Sequence, residues 1–381
     1  MKKFLWKIYF SRFMDSFILI GVIFALFFSN HGLNPFQISL LISIWSLTTI
    51  ITEVPFGVLA DTYSRRNLLI IGLLLRAVGF SFWMMGGFVN YAIGFVLWGL
   101  KNTLTSGTLE GLVYDELASY KKEDMYEEVI GKMGSALSLG LFLSAIIGGV
   151  VGQISFSWVL LASIGTSLLG AFILSTLKSV KAIQSTGEVN YYKTLRSAVL
   201  EIRNNPIVLY VIAFICIIFA AFGAMDEYWA LIYTHFNLSE STVGIMVALI
   251  YGLGTVAGST VKYYGQGKYL GYILILIGSA IYLLLGITQV VWILPLTFVA
   301  IYLFQIANIK LEAQLQHSIT SHQRSTISSI KSLLFELVYM GYVLVFGYVG
   351  SKFGILSILI VAGSVLLVSI FVLPIIKRKI S

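Results

Sequence analysis

Apolar residues in this chain come in long runs. Twelve of them can be laid down, at 8–28, 36–60, 68–88, 91–112, 129–152, 157–177, 206–232, 241–261, 269–288, 291–311, 327–349 and 355–376. Each is close to the roughly 20 residues a helix needs to cross the hydrocarbon core of a bilayer. A membrane barrel would show segments of about ten residues with alternating polarity, and these runs are continuously apolar. Each run is therefore predicted to be one spanning helix, which makes the chain an all-α polytopic membrane protein.

Composition agrees. The chain has 381 residues, 58% hydrophobic and 11% charged, with a mean hydropathy of +0.92, against roughly 45–50% apolar and about 25% charged for soluble domains. The charge is +8, but its placement matters more than its sum. Lys2, Lys3, Arg65, Arg66, Lys121, Lys122, Lys193, Arg196, Arg203, Lys262, Arg324 and Lys377 fall in alternate connections, with Lys352 the clear exception. The positive-inside rule then puts both termini in the cytoplasm, and charge so spread forms no nucleic-acid patch. Met1-Lys2-Lys3 and the run behind them read as an uncleaved first helix, because the run passes Phe28 without a small-residue cleavage site.

Enzymatic chemistry finds no foothold. Cys216 is the single cysteine, so neither an internal disulfide nor a cysteine metal cluster is expected. There is no Gly-x-x-x-x-Gly-Lys-Ser/Thr loop, so ATP does not act directly, and no cofactor is expected. His31, His235, His317 and His322 lie near loops and read as surface residues, not metal ligands.

The chain repeats itself. Gly57-Val-Leu-Ala-Asp61 after run 2 answers to Gly258-Ser-Thr-Val-Lys262 after run 8, and Leu109-Glu110-Gly111 answers to Leu311-Glu312-Ala313. Nearly one shift in register superposes both pairs, which predicts two copies of a six-helix bundle. The expected halves are 1–177 and 206–381, joined by a basic, polar cytoplasmic linker at 178–205. Transporters are often built from such repeats, with the substrate site at the repeat interface.

The loop Gly57-Val-Leu-Ala-Asp61-Thr-Tyr-Ser-Arg65-Arg66 resembles the signature Gly-x-Leu-Ala-Asp-Arg-x-Gly-Arg-Arg/Lys of the major facilitator superfamily. Gly57, Asp61, Arg65 and Arg66 match, while Thr62 and Ser64 depart from it. Glycine permits tight helix approach. The resemblance implies that Asp61, with Arg65 and Arg66 as partners, locks one state of the transport cycle by contacting the start of run 11; the two arginines also serve as topology determinants. Gly140-Leu-Phe-Leu-Ser144-Ala145-Ile-Ile-Gly148-Gly149 is similar to the family's antiporter signature but lacks its central Gly-Pro. Without the proline kink, a helix-packing seam is the favoured reading. Ser106-Gly107-Thr-Leu-Glu110-Gly111-Leu-Val-Tyr114-Asp115 looks like a segment common in a bacterial, drug-efflux-like subgroup, with Gly111 in place of alanine. Glu53-Val-Pro55 and Arg324-Ser-Thr-Ile-Ser328 fit that subgroup too.

Ionisable residues in hydrocarbon are costly and so are functional candidates. Asp15 lies three residues after Arg12, where the two can neutralise each other on one helix face; facing a cavity instead, Asp15 could carry a proton. Glu336 in run 11 is a second proton-coupling candidate, five residues from Lys331 and so badly placed to pair with it. Asp226 and Glu227, near the outer end of run 7, are either vestibule carboxylates or interfacial ones. Arg76, Lys101 and Lys331 are the internal countercharges, and Lys101 stands roughly where many family members have an arginine. Glu53, Glu110 and Arg324 sit near cytoplasmic helix ends and join the gating set. Asn102, Gln305 and Asn308 are candidate polar contacts to substrate. Aromatic residues, 14% of the chain, could line an apolar cavity, although Trp and Tyr also gather at membrane interfaces.

The expected function is secondary active transport by alternating access in a bacterial cytoplasmic membrane, by a monomer whose partners are protons, lipid and a small-molecule substrate. Proton-coupled efflux of small amphiphilic or cationic compounds is favoured. Uptake of a small metabolite, a lipid or glycolipid flippase, and a non-transporting scaffold are the rivals.

Overall fold

The computed structural model describes residues 1–177, 200, 202–203, 205–265, 267, 269–319 and 324–380, without the side chains at 54, 58, 60–62, 317, 324–326 and 372–380. Most of the expected linker at 178–205, and with it Lys193 and Arg196, lies outside the described residues.

Among the described residues the regular structure is helical. Nine helical stretches are long and apolar enough to cross a membrane, and a shorter apolar stretch spans Ser357–Phe371. The nine coincide with runs 2, 3 and 5 to 11. The helices of runs 1 and 4 are broken, and run 1 falls short of that length for this reason. Run 1, expected as one helix, is α1 (Lys2–Ser16), a 3-10 turn (Leu19–Val22) and α2 (Phe24–Asn30). Run 4 is α5 (Phe88–Thr105) and α6 (Thr108–Ser119), separated where Gly107 takes a left-handed φ of +66°, a conformation glycine adopts without a Cβ clash.

The remaining helices are α3 (Pro35–Thr62), α4 (Arg65–Met84), α7 (Tyr126–Ile154), α8 (Phe156–Ser175), α9 (Pro206–Phe214), α10 (Ala220–Asp226), α11 (Trp229–His235), α12 (Glu240–Thr260), α13 (Leu270–Thr288), α14 (Leu296–Ser318), α15 (Arg324–Phe353) and α16 (Ser357–Ile380). Their starts are written in the sequence. Asn34 and Gln37 exchange side-chain-to-backbone hydrogen bonds of 3.0 and 2.9 Å ahead of the Pro35 turn, a reciprocal cap that satisfies two free amides. Asn205 Oδ1 accepts from the amides of Ile207 and Val208, with Pro206 in the first helical position, where its missing N–H costs nothing. Run 7 departs from a simple span: Ile215–Phe219 winds as a π-helix between α9 and α10, a distortion that recurs at functional sites.

The chain divides into two compact units. Unit 1 comprises Met1–Leu33, Leu40–Thr186 and Asn237–Tyr251; unit 2 comprises Asn34–Ser39, Gly187–Phe236 and Gly252–Ser381. Unit 1 has a core that includes Leu69, Leu73, Leu109, Leu112, Leu117, Val129 and Leu174. Within the same unit, α4 and α5 approach closely. A methyl group at Gly94 would overlap the Trp83 indole and lie 2.7 Å from the Gly79 carbonyl. On α7 a methyl at Gly148 would lie 2.5 Å from the Leu19 carbonyl, and one at Gly149 would lie 2.8 Å from Gly244 Cα. The glycines of the antiporter-like segment thus form a packing seam. In unit 2, α13 packs on α14 and α16, with Phe304 against Gly278 and Leu283 against Gly363.

Candidate functional site

The break in run 1 creates the site in unit 1. Ending α1 at Ser16 leaves carbonyls without intrahelical partners. One of these, the Asp15 carbonyl, accepts from Arg76 Nη1 at 2.9 Å. The amide of Ile20 in the following turn donates to Ser163 Oγ at 3.0 Å. Irregular backbone at membrane depth persists where side chains satisfy it in this way.

Around that break lies a cavity of about 430 Å³. The Asp15 carboxylate meets three cations there. Arg76 Nη1 and Lys101 Nζ each lie 2.7 Å from Oδ1, and Arg12 Nη1 lies 3.6 Å from Oδ2. Arg76 is 1% exposed and Lys101 6%. Arg76 Nε donates to Ser167 Oγ at 3.0 Å, and Nη2 is buried without a hydrogen-bond partner among the described residues. Asn102, Glu110 and Trp98 line the same cavity, with apolar walls from Ile18, Val22, Leu137 and Leu141. The Arg12–Asp15 pairing read from the sequence is therefore the longest of three contacts. Ser167 has no sequence signal of its own; it lies in an apolar run among other small residues.

Unit 2 has a cavity of about 360 Å³, lined by Gln305, Asn308, Glu312, Lys331 and Glu336 beside Phe219, Phe222 and Phe335. The π-helical turn supplies Ile215 and Phe219 to its wall. Lys331 pairs with Glu312 at 2.6 Å, so its partner comes from α14 and not from its own helix. The repeat comparison had already aligned Glu312 with Glu110 without giving it a role. Glu227 accepts a hydrogen bond from Tyr339 on α15, three residues beyond Glu336, while Asp226 is exposed at the end of α10.

The gating candidates other than Arg324 are spread along unit 1. Arg65 Nη1 lies 2.7 Å from Asp115 Oδ2, a carboxylate quoted only as part of a motif in the sequence reading. Burial pushes the Asp115 carboxyl above its ordinary value, and the Arg65 guanidinium pulls it back down. Gly111 makes room for this pair: a methyl there would lie 2.6 Å from Arg65 Nη1. Arg66 Nη1 donates to the Leu177 carbonyl at 2.6 Å, just past the end of α8, a favourable place for a cation. Glu53 accepts a long 3.5 Å bond from Ser106. Gly57 is exposed, and a methyl there would meet nothing within 4 Å among the described residues. Tight helix approach, the role expected of it, is therefore not made by the described residues. The side chains of Asp61 and Arg324 lie outside the described residues, as do those of His317 and His322.

Two broken helices, buried charges at the break and apolar outer faces define a polytopic membrane protein with polar cavities. Residues 5–337 match the family model of the Major Facilitator Superfamily, and the chain belongs to that family. It is similar to an uncharacterized MFS-type transporter of Methanocaldococcus jannaschii, 23% identical over 276 residues covering 68% of this chain and 66% of that protein. It is also similar to the quinolone resistance protein NorA of Staphylococcus aureus, 24% identical over 278 residues covering 71% of this chain and 68% of NorA. These alignments thus span about two thirds of each relative. The fold matches that of the nucleoside transporter NupG with a TM-score of 0.83, 12% identity and 99% coverage of both chains. The chain is an integral membrane protein of this fold, and these relatives are transporters, not enzymes.

Proposed function

We propose that the protein is a secondary transporter that exports small amphiphilic compounds in exchange for protons, working by alternating access between two halves, 1–177 and 206–381. The observation that carries this reading is a cavity in each unit that combines ionisable groups with apolar and aromatic walls, in a chain related to a quinolone resistance protein. A cavity of several hundred Å³ with a few convergent polar groups suits a drug-sized molecule.

Charge logic sorts the carboxylates. Protonating Asp15 would leave three cations with only Glu110 in their cavity to balance them, so its place in the cycle is to hold Arg76 and Lys101 in position. Proton coupling falls instead to unit 2, to Glu336 in its cavity and to Glu227 and Asp226 nearby. Gly57, Asp61, Arg65, Arg66, Glu53, Glu110 and Arg324 form the cytoplasmic gate, in which Arg65 and Asp115 are the pair that makes and breaks. Asn102, Gln305 and Asn308 contact the substrate. The protein acts as a monomer in a bacterial cytoplasmic membrane, with both termini in the cytoplasm.

A host stripped of its own efflux pumps and loaded with a fluorescent amphiphile tests the direction. Export predicts lower steady-state accumulation in cells expressing the protein, restored by a protonophore. Raised accumulation would favour uptake, the second reading, to which the general transporter fold is equally suited.

A further inference from the structure

We infer that the unit 1 cavity is an oxyanion-binding subsite, so that the transported compound carries a carboxylate or phosphate group on an apolar body. This deepens the reading of the protein as a transporter of small amphiphiles and rests on it.

Three observations converge. The first is Arg76 Nη2, a buried donor of a cavity-lining residue with no hydrogen-bond partner among the described residues. Leaving such a donor unpaired costs about 1–3 kcal/mol, more for a charged group. The guanidinium is planar and permanently charged. Nε and Nη1 are already engaged by Ser167 and by the carbonyl and carboxylate of Asp15, which fixes its plane and leaves Nη2 to give a charge-assisted bond to one oxygen of a carboxylate or phosphate.

The second is charge. The cavity is lined by three cations, Arg12, Arg76 and Lys101, against two carboxylates, Asp15 and Glu110. One monoanionic group brings the set to neutrality. A cation or an added proton would enlarge the surplus, in a place where uncompensated charge is expensive. A water molecule could satisfy Nη2 but would leave the surplus untouched.

The third is the company the charges keep. The Lys101 ammonium carries three donors, of which its pair with Asp15 engages one, and the Asn102 amide lines the cavity beside it. Trp98, Leu137 and Leu141 supply apolar wall on the same cavity. The arrangement offers an oxyanion its donors and an apolar body its surface.

Binding to the purified full chain in lipid nanodiscs, with no gradient imposed, tests the subsite. Four probes share one apolar body: 4-butylbenzoate, 4-butylphenyl phosphate, the neutral 4-butylbenzyl alcohol and 4-butylbenzyl-trimethylammonium. The expected result is that at least one anion binds about tenfold or more tighter than the alcohol. Lys101→Met and Arg12→Gln should each weaken that anion by about tenfold, the scale of one charge-assisted hydrogen bond, with the alcohol unchanged. Arg76→Gln should do the same; because all three variants remove a partner of Asp15, thermal unfolding must accompany each, and Arg12→Gln, which removes the longest of the three contacts, carries the test if the others fail to fold. The subsite is overturned if the alcohol or the ammonium probe binds as tightly as both anions, or if the preference for anions survives in both Lys101→Met and Arg12→Gln. Anion binding without transport in cells or liposomes would sink the transport reading alone. Transport with no preference for anions would sink the subsite alone.

Discussion

Arg76 holds Asp15 twice, with Nη1 2.7 Å from the carboxylate Oδ1 and 2.9 Å from the backbone carbonyl of the same residue. One guanidinium therefore caps the end of α1 and neutralises the acid that the end exposes. The helix break and the charge cluster are a single feature.

Removing the carboxylate should damage that feature. Asp15→Asn leaves Arg76 and Lys101 buried without their counter-charge, a loss of about 3–5 kcal/mol by analogy with other broken buried pairs. Thermal unfolding of the purified protein in detergent should show a large fall in Tm. Arg12→Gln, which removes the longest contact from a side chain 25% exposed, should show a much smaller one. Equal effects would contradict the cluster as described.

The Arg65–Asp115 pair gives a dependence on pH. With Arg65→Gln, Asp115 keeps its burial and loses the cation that lowers its pKa, so that pKa rises further. An acid whose folded pKa is raised opposes folding when ionised. The variant's deficit in Tm should therefore be full near neutral pH and shrink as pH falls through the carboxylate range. A deficit that is the same at pH 4 and pH 7.5 would rule out this pairing. Gly111→Ala, which crowds the guanidinium, should show the same trend more weakly.

Close packing of α4 on α5 should tolerate no side chain at Gly94. A methyl there overlaps the Trp83 indole, which is 1% exposed and donates to the Tyr91 carbonyl at 3.0 Å. Gly94→Ala should lower stability by about 1–3 kcal/mol or more and perturb tryptophan fluorescence. Gly131→Ala, where a methyl meets nothing within 4 Å among the described residues, is the control and should leave the fluorescence unchanged and stability equal or slightly raised, since alanine favours a helix interior over glycine.

In unit 2, Lys331 and Glu312 should behave as a pair. Lys331→Glu and Glu312→Lys are each expected to impair folding or transport, and the double exchange to recover a substantial part of the loss, a coupling that distant sites do not show. No recovery in the exchange variant would mean that the two act separately.

The spans were legible because bilayer thickness imposes a length on apolar runs, and nine of the twelve runs appear as long helices among the described residues. The breaks in runs 1 and 4 were not. Gly21 and the Ser106-Gly107 step are compatible with a continuous helix in a sequence window; in run 1 what decides is Ser163 and Arg76, which satisfy the freed backbone from helices far along the chain. Asp15, Arg76 and Lys101 stood out singly because charge is rare in apolar runs, but their convergence on one oxygen is a tertiary fact. Asp115 and Glu312 escaped attention as partners because they sit among polar residues at helix ends, where a carboxylate is unremarked. Gly57 shows the converse: a motif glycine whose close approach is not made by any described residue.

The most direct test of the account is transport by the purified protein in liposomes under an imposed proton gradient. A labelled amphiphile should accumulate when the gradient is present and not when a protonophore collapses it. Glu336→Gln should retain substrate binding while losing gradient-driven accumulation, and Asp15→Asn, where it folds, should lose binding. Movement that is indifferent to the gradient in every variant, or none for any amphiphile in a folded protein, would contradict proton-coupled transport.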